Sequence, residues 1–316
     1  MNRQGQDRRI FEELIRFLDK KKTSAKFPDQ LMLEIGKFFL GTPYVAGTLE
    51  TKRTEHLVVN LREHDCVTFV ENVVALAWLV EPHWQARGPS PTPVWGDIPA
   101  KRWSIHPRSR PWPSAAGVKS RGKSFEAFRR LLQKIRYRQG RLQGYPSRLQ
   151  YFSDWIRDNQ KKGIVRDVTA EIGGRPLRKA MTFMTTNPDL YPPLKNSANL
   201  RRMKSVERRI SRRSLFFIPK KALRRLEDRI RDGDLIAITT NTEGLDAQHV
   251  GLAARVKNRI HLLHTSNIEG KVVLSKKTLY RYLMQSKARS GIMVARVFPD
   301  VAKNVPKKRT GRLEKL

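Results

Sequence analysis

An almost uninterrupted apolar stretch at residues 73–80 constrains the fold of this 316-residue chain more than any other feature. It directly follows the segment Asp65-Cys66-Val67-Thr68-Phe69-Val70-Glu71-Asn72. A helix that is apolar on every side must be surrounded by other elements, so we expect it inside a substantial core. Cys66, the only cysteine, would begin this helix, where main-chain amides favour the thiolate form. A lone cysteine is more often an inert core residue, so other residues must decide whether this thiol reacts.

Composition excludes several kinds of protein. One cysteine allows no internal disulfide framework and no cysteine-based zinc cluster. The 64 basic and 29 acidic residues give a formal net charge of +35, which attracts polyanions without specificity. The chain contains no ribonucleoprotein aromatic motif, zinc finger or basic zipper, so we expect no specific nucleic-acid partner.

The sequence also bears on location. No stretch approaches the roughly 20 apolar residues that span a bilayer, so we expect no transmembrane segment. Residues 1–22 are charged and amphipathic, without the apolar core or cleavage site of a signal peptide. We therefore expect a cytoplasmic protein as the chain stands, and a periplasmic or cell-envelope protein if the true start lies upstream.

The patterning predicts an N-terminal helical segment at 1–40, an α+β domain at 41–300 and a basic tail at 301–316. Residues 82–123 hold eight of the 18 prolines and four of the six tryptophans, which predicts a poorly ordered surface insertion. In the last third, short apolar runs between turn residues indicate an antiparallel sheet. The predicted strands are 57–60, 165–172, 235–238, 248–256, 259–264, 271–274 and 291–297. The predicted helices are 7–22, 28–40, 125–137, 151–160 and 276–285, with further helices over the basic stretch 201–231.

Histidines on the predicted strands are the candidate partners of the thiol. His64 is too close to Cys66 in sequence to be well aimed, because a base usually approaches from another element. If strands 249–256 and 259–264 form a hairpin with a two- or four-residue loop, paired residue numbers sum to an odd number. His264 then shares a sheet face with His249, and His261 lies on the opposite face. A thiol with two imidazoles is the arrangement of a nucleophile, a general base and an orienting group.

Several blocks make the sequence recognisable. It resembles the NlpC-like branch of the papain-like cysteine peptidases, and more closely the N-acetylmuramoyl-L-alanine amidase-like family. The blocks are Gly41-Thr42-Pro43-Tyr44-Val45-Ala46-Gly47-Thr48-Leu49-Glu50, Asp65-Cys66-Val67-Thr68-Phe69-Val70-Glu71-Asn72, Ile135-Arg136-Tyr137-Arg138, Ser147-Arg148-Leu149-Gln150-Tyr151-Phe152-Ser153-Asp154-Trp155, Asp232-Gly233-Asp234-Leu235, Gly244-Leu245-Asp246-x-x-His249-Val250-Gly251 and Leu263-His264-Thr265-Ser266.

The resemblance implies a papain-like fold in which the nucleophile begins a buried helix packed on an antiparallel sheet, with extra helices. It implies Cys66 as nucleophile, His249 as general base and His264 as the orienting residue, with no metal and no cofactor. Tyr44 would assist an oxyanion or bind substrate.

The resemblance leaves the roles of four other residues open. Asp65 would contact substrate or cap the helix. Arg148 and Tyr151 would line the substrate cleft or hold the helical region together. Gln150 stands where relatives usually have histidine, so the contact made by that side chain differs here.

The activity that the resemblance implies is hydrolysis of the amide between N-acetylmuramic acid and L-alanine in soluble muropeptides, with 1,6-anhydro forms among the candidates. One alternative is an endopeptidase that cuts between D-glutamate and the diamino acid of the stem peptide. The other is a non-enzymatic protein that binds polyanions or cell-wall polymer through its charge.

Overall fold

The structure, a computed structural model, describes residues 2–20, 28–50, 54–81 and 123–297. The predicted tail at 301–316 and the predicted insertion at 82–123, except Lys123, lie outside the described residues. The helices described are α1 (Arg3–Lys20), α2 (Pro28–Phe38), α3 (Cys66–Val80), α4 (Phe125–Arg136), α5 (Phe152–Lys161), α6 (Thr169–Ile172), α7 (Phe183–Thr186), α8 (Ser197–Ser211), α9 (Leu223–Leu226) and α10 (Leu279–Met284). The strands are β1 (Val165–Asp167), β2 (Arg175–Leu177), β3 (Leu215–Pro219), β4 (Leu235–Thr240), β5 (Ala247–Val256), β6 (Arg259–Ser266), β7 (Lys271–Thr278) and β8 (Arg289–Val297).

The strands form one antiparallel sheet, so the fold is α+β. Its order is β2-β3-β8-β4-β5-β6-β7, and β1 also pairs with β8. β8 is the last described strand, yet it pairs with β4, whose other neighbour is β5. The sheet therefore brings the end of the described chain close to the β5–β6 hairpin.

Helix α3 is the centre of the larger core. From Thr68 to Val80 every residue of this helix is buried. α1, α2, α4 and α5 contribute to the same core, which covers the sheet face carrying Val250, Leu252 and Leu263. α1 and α2, which fall in the predicted N-terminal helical segment at 1–40, thus share a core with α3. A second core covers the other sheet face, beneath α6, α9 and α10.

The structure corrects three sequence predictions. Residues 57–60 are extended but form no strand, because side chains bind their backbone: Arg136 Nη1 donates to the Val58 carbonyl at 2.5 Å and Asn72 Nδ2 to the Asn60 carbonyl at 2.9 Å. The predicted strand at 165–172 is only β1, since the short helix α6 begins at Thr169, whose amide donates to the Asp167 carboxylate at 2.9 Å.

The basic stretch 201–231 is the third case. It contains the strand β3 in addition to the predicted helices, because Leu215–Pro219 pairs with β2 and β8. Among the described residues, no helix is both long and apolar enough to cross a membrane.

Candidate active site

Cys66 begins α3, and its neighbour fixes the start of that helix. Asp65 is the N-cap: its carboxylate accepts from the Thr68 amide at 2.8 Å, and the Thr68 hydroxyl accepts from the Asp65 amide at 2.9 Å. This reciprocal capping box leaves the amides of the first helical residues free to point towards the thiol. Cys66 itself is partly exposed.

His249 and His264 contact each other directly. His249 Nε2 lies 2.7 Å from His264 Nδ1, and the two rings meet edge to face with centroids 4.8 Å apart. The β5–β6 hairpin has a two-residue loop, Lys257-Asn258, and pairs Leu252 with Leu263, so paired numbers sum to an odd number as predicted. The structure confirms that these two histidines share a face.

The nitrogen contacts determine which proton arrangement makes His249 a base. If His249 Nε2 donates to His264 Nδ1, the lone pair of His249 lies on its Nδ1. No described residue forms a hydrogen bond with that Nδ1. His264 Nδ1 also lies 3.2 Å from the Thr265 carbonyl, and a proton there would reverse the arrangement. Only the first tautomer leaves His249 Nδ1 able to accept a proton.

The beginning of β5 lies against the thiol through Val250, the residue after His249. Because side chains alternate along a strand, His249 and His264 lie on the face covered by α10, whereas α3 packs on the opposite face. The paired register of β5 with β6 runs from Leu252–Leu263 to Val256–Arg259. The Val250 amide, which precedes this paired region of β5, points to the Cys66 sulfur. Within the described residues no hydrogen bond joins that sulfur to His249, and such bonds are commonly long before substrate binds.

The electrostatics oppose the expected thiolate. Burial, and after it the carboxylate of Asp65, raise the pKa of the Cys66 thiol to about 12, although the amides of Val250, Cys66 and Val67 act in the opposite direction. Burial, followed by the neighbouring His264 and the charge of Arg289, lowers the pKa of His249 to about 3. Burial is also the main reason that the pKa of His264 falls to about 4. The resting pair is therefore a neutral thiol beside a neutral imidazole.

Two tyrosines flank the sulfur. Burial, then the nearby acidic groups of Cys66 and Asp65, raise the pKa of Tyr44, the residue predicted to lie here. Tyr282, on α10, was missed by sequence reasoning. Its ring lies 5.5 Å from His264 and 6.4 Å from His249, and burial, with Cys66 as a smaller cause, raises its pKa. Both hydroxyls therefore stay protonated and can donate hydrogen bonds near the thiol.

Arg289, at the start of β8, was also missed. Its guanidinium carbon lies 4.0 Å from the centre of the Tyr282 ring, and Nη1 donates to the Tyr282 carbonyl. No local sequence signal separates Arg289 from the other arginines. Only the placement of β8 beside β4 brings it to the histidines.

The side chains of the remaining described histidines make contacts away from the thiol. His64 is fully buried between Phe39 and Phe69, and burial lowers its pKa to about 3. His261 lies on the opposite face of β6 from His264, with Nδ1 2.8 Å from the Ser275 carbonyl. His56 Nδ1 lies 3.0 Å from the Thr54 carbonyl. His83 and His106 are outside the described residues.

A cavity of about 100 Å³ is lined by Val67, the residue after the thiol, and bears on the roles of Asp65, Arg148 and Tyr151. Asp65, Arg148 and Gln150 line it. Arg148 is nevertheless held by Glu55 at 2.7 Å and Glu50 at 2.8 Å, so its guanidinium serves the structure as well. Gln150 Nε2 is buried and has no hydrogen-bond partner among the residues that the structure describes.

Tyr151 does not reach this cavity. It is buried in a separate cluster, and its hydroxyl donates to Glu207 at 2.7 Å. The structure thus places Tyr151 in the helical packing, which is the structural alternative that the sequence left open. Among the described residues, no group of three or more histidine, cysteine, aspartate or glutamate side chains could hold a metal ion.

Comparison with known proteins gives the family. The model of the AmiA-like family, described as N-acetylmuramoyl-L-alanine amidase-like, matches residues 34–86 and 115–292. The chain belongs to this family. The unmatched residues 87–114 lie inside the predicted insertion. No curated protein matches the chain.

Solved structures agree with the family. The amidase-like chain is 35% identical to an N-acetylmuramoyl-L-alanine amidase from Bacteroides uniformis, with a TM-score of 0.69 over 86% of this chain and 99% of that one. It is 37% identical to a Bacteroides fragilis protein provisionally named a xylanase, with a TM-score of 0.67 over 84% and 100%. A Legionella pneumophila protein, LPG0564, is 20% identical with a TM-score of 0.60 over 94% and 97%, which shows a shared fold only.

The family blocks contact one another in the amidase-like chain. Glu71 of the first helix block accepts from Arg136 and from Trp155 Nε1, at 2.6 and 3.2 Å. Asp246 accepts from the Ser153 amide at 2.7 Å, which links α5 to the beginning of β5. The motifs thus hold α3 and β5 together, and with them the thiol and the histidines.

Proposed function

We propose that this chain is a cysteine-dependent amide hydrolase that cleaves the bond between N-acetylmuramic acid and L-alanine in soluble muropeptides, including 1,6-anhydro forms. The observation that carries the proposal is the Val250 amide, which joins the sulfur of Cys66 to the residue next to His249. A thiol at a helix start, with a histidine on a neighbouring strand and a second histidine behind it, is the arrangement of a papain-like site.

The first half of the reaction forms an acyl-enzyme. Because the resting pair is neutral, His249 Nδ1 accepts the thiol proton as the sulfur attacks the amide carbon. The Cys66 amide and the Tyr44 hydroxyl donate to the developing oxyanion. His264 accepts from His249 Nε2 and so holds the imidazole in the tautomer that can act as a base.

The second half releases both products. The carbon–nitrogen bond breaks, and the departing amine of L-alanine takes the proton from His249. The same imidazole then removes a proton from water, whose oxygen attacks the thioester and releases the lactyl carboxylic acid, which loses its own proton to solvent. The sulfur recovers its proton from His249, so atoms and charge balance.

Mass spectrometry of a defined N-acetylmuramoyl tripeptide tests this proposal. We expect N-acetylmuramic acid without any amino acid, together with an intact peptide. Cys66→Ala should abolish this cleavage, and iodoacetamide should do the same to the wild-type chain, which has one cysteine. A cut between D-glutamate and the diamino acid would instead make it an endopeptidase, and undiminished cleavage by Cys66→Ala would overturn cysteine dependence.

A further inference from the structure

Arg289 differs from the other inward-facing arginines of the described chain in having no carboxylate partner. Ten other arginines there are buried or partly buried, and each lies 3.9 Å or less from a carboxylate oxygen. They are Arg62, Arg129, Arg136, Arg138, Arg148, Arg166, Arg213, Arg255, Arg259 and Arg296. In a chain with few acids, this pattern means that inward guanidinium groups are consistently paired, and that Arg289 is the exception within the described residues.

The unpaired guanidinium keeps hydrogen-bonding capacity. Nη1 donates to the Tyr282 carbonyl, and one face stacks on the Tyr282 ring. Nε is buried and has no partner among the described residues. A buried donor without an acceptor costs free energy, and an arginine fork matches a carboxylate with two parallel bonds. The residue as a whole is partly exposed, so an incoming ligand can reach it.

The position of Arg289 ties it to the candidate site. The Tyr282 ring on which it stacks lies within 6.4 Å of both His249 and His264. After burial, the charge of Arg289 helps to lower the pKa of both histidines. An anion bound to Arg289 would offset that charge and make protonation of His249 easier during the reaction.

We propose that Arg289 binds a carboxylate of the substrate peptide and thereby selects acidic peptides over their amidated forms. This inference rests on the proposed function for the identity of the peptide. Stem peptides offer two such groups, the free carboxylate of D-glutamate and the C-terminal carboxylate. Binding either one would provide the guanidinium with its missing acceptor.

Calorimetry with the Cys66→Ala protein tests the proposal, because that variant binds without turnover. The ligands are an N-acetylmuramoyl tripeptide, the same compound amidated at D-glutamate, and the same compound amidated at its C-terminus. We expect one amide to bind roughly 10- to 100-fold more weakly than the acid, and Arg289→Met to remove that difference. Arg289→Lys should preserve a smaller difference, since it retains the charge without the fork.

A matched control separates Arg289 from the general basic charge. Arg281→Met removes one charge from the exposed face of α10 and should leave the preference for the acid unchanged. Equal binding of all three ligands by the Cys66→Ala protein in which Arg289 is intact would overturn the proposal. So would a preference that survives Arg289→Met.

A second measurement does not depend on the substrate. Iodoacetate carries a carboxylate and iodoacetamide does not, and both can alkylate only Cys66 in this chain. We expect the rate with iodoacetate, divided by the rate with iodoacetamide, to fall several-fold in Arg289→Met. The same ratio should be unaffected in Arg281→Met. If muropeptides are not cleaved but this ratio falls, the proposed function fails while the carboxylate site stands. An unchanged ratio would count against the site itself.

Discussion

Glu71 and Arg136 form a buried ion pair beneath the candidate site, with 2.6 Å between the carboxylate and Nε and almost no exposure of either side chain. The Arg136 guanidinium also holds the Val58 carbonyl, so the pair connects α3, α4 and the extended segment before the thiol. Burial, opposed by Arg136, raises the pKa of Glu71. The arginine therefore offsets part of the cost of burying that carboxylate.

Arg136→Met should lower the free energy of unfolding by about 3–5 kcal/mol, because it leaves Glu71 buried without its partner. Urea unfolding measures this change. Arg129→Met, which breaks a partly exposed pair with Glu126 on the same helix, should cost about 1 kcal/mol or less. Equal losses in the two variants would contradict the assigned role of burial.

His264→Ala should lower kcat roughly 100-fold or more in a muropeptide assay, because His249 loses the acceptor that fixes its tautomer. His261→Ala is the matched control, since His261 lies on the same strand but on the opposite face. It should leave kcat unchanged. Similar losses from both substitutions would show that the strand, and not the imidazole contact, matters.

This pair of histidines shows what the sequence could predict. Hairpin parity depends only on the two-residue side-chain period and the loop length, and Lys257-Asn258 makes a tight turn with φ of 47° and 61°. The apolar stretch at 73–80 likewise predicted α3, and the resemblance predicted that Tyr44 lies near Cys66.

Other features needed the tertiary structure. Arg289 reaches the histidines because β8 inserts beside β4, a non-local pairing that no local pattern encodes, and Tyr282 reaches them from α10. The pKa of Cys66 depends on burial by surrounding elements, which outweighs the helix-start amides. The strand β3 was hidden because its short apolar run lies among basic residues, and only pairing with β2 and β8 makes it a strand.

The pH dependence of Cys66 alkylation reports the charge state of the thiol. With its pKa raised to about 12, the rate with iodoacetamide should rise about tenfold per pH unit from pH 7 to beyond pH 9. The measurement is direct because Cys66 is the only cysteine. A plateau below pH 8 would instead reveal a preformed thiolate–imidazolium pair.

Tyr282→Phe should lower kcat at least tenfold without changing the midpoint of thermal unfolding, because the phenol donates a hydrogen bond beside the reacting sulfur. Tyr280→Phe removes the same atom two residues earlier on α10 and should leave kcat unchanged. Steady-state kinetics with both variants measures the difference. Full activity of Tyr282→Phe would leave Tyr44 and the Cys66 amide as the oxyanion donors.

His64 should make the fold sensitive to acid. Burial lowers its pKa from 6.5 to about 3, so the folded chain keeps the imidazole neutral while the unfolded chain binds a proton below pH 6.5. The free energy of unfolding therefore falls as pH drops from about 6.5 towards 3, and this residue contributes ~2 kcal/mol of that fall between pH 7 and pH 5. His249 and His264 act in the same direction, so wild type alone cannot isolate the effect.

His64→Phe isolates it, because the new ring can pack between Phe39 and Phe69 and cannot titrate. Urea unfolding at pH 7 and pH 5 should show a smaller loss of stability in this variant than in wild type, by ~2 kcal/mol. The comparison cancels any constant effect of the substitution on packing, since only the difference between the two pH values enters. Identical pH dependence in the two proteins would mean that His64 takes up a proton in the folded state after all.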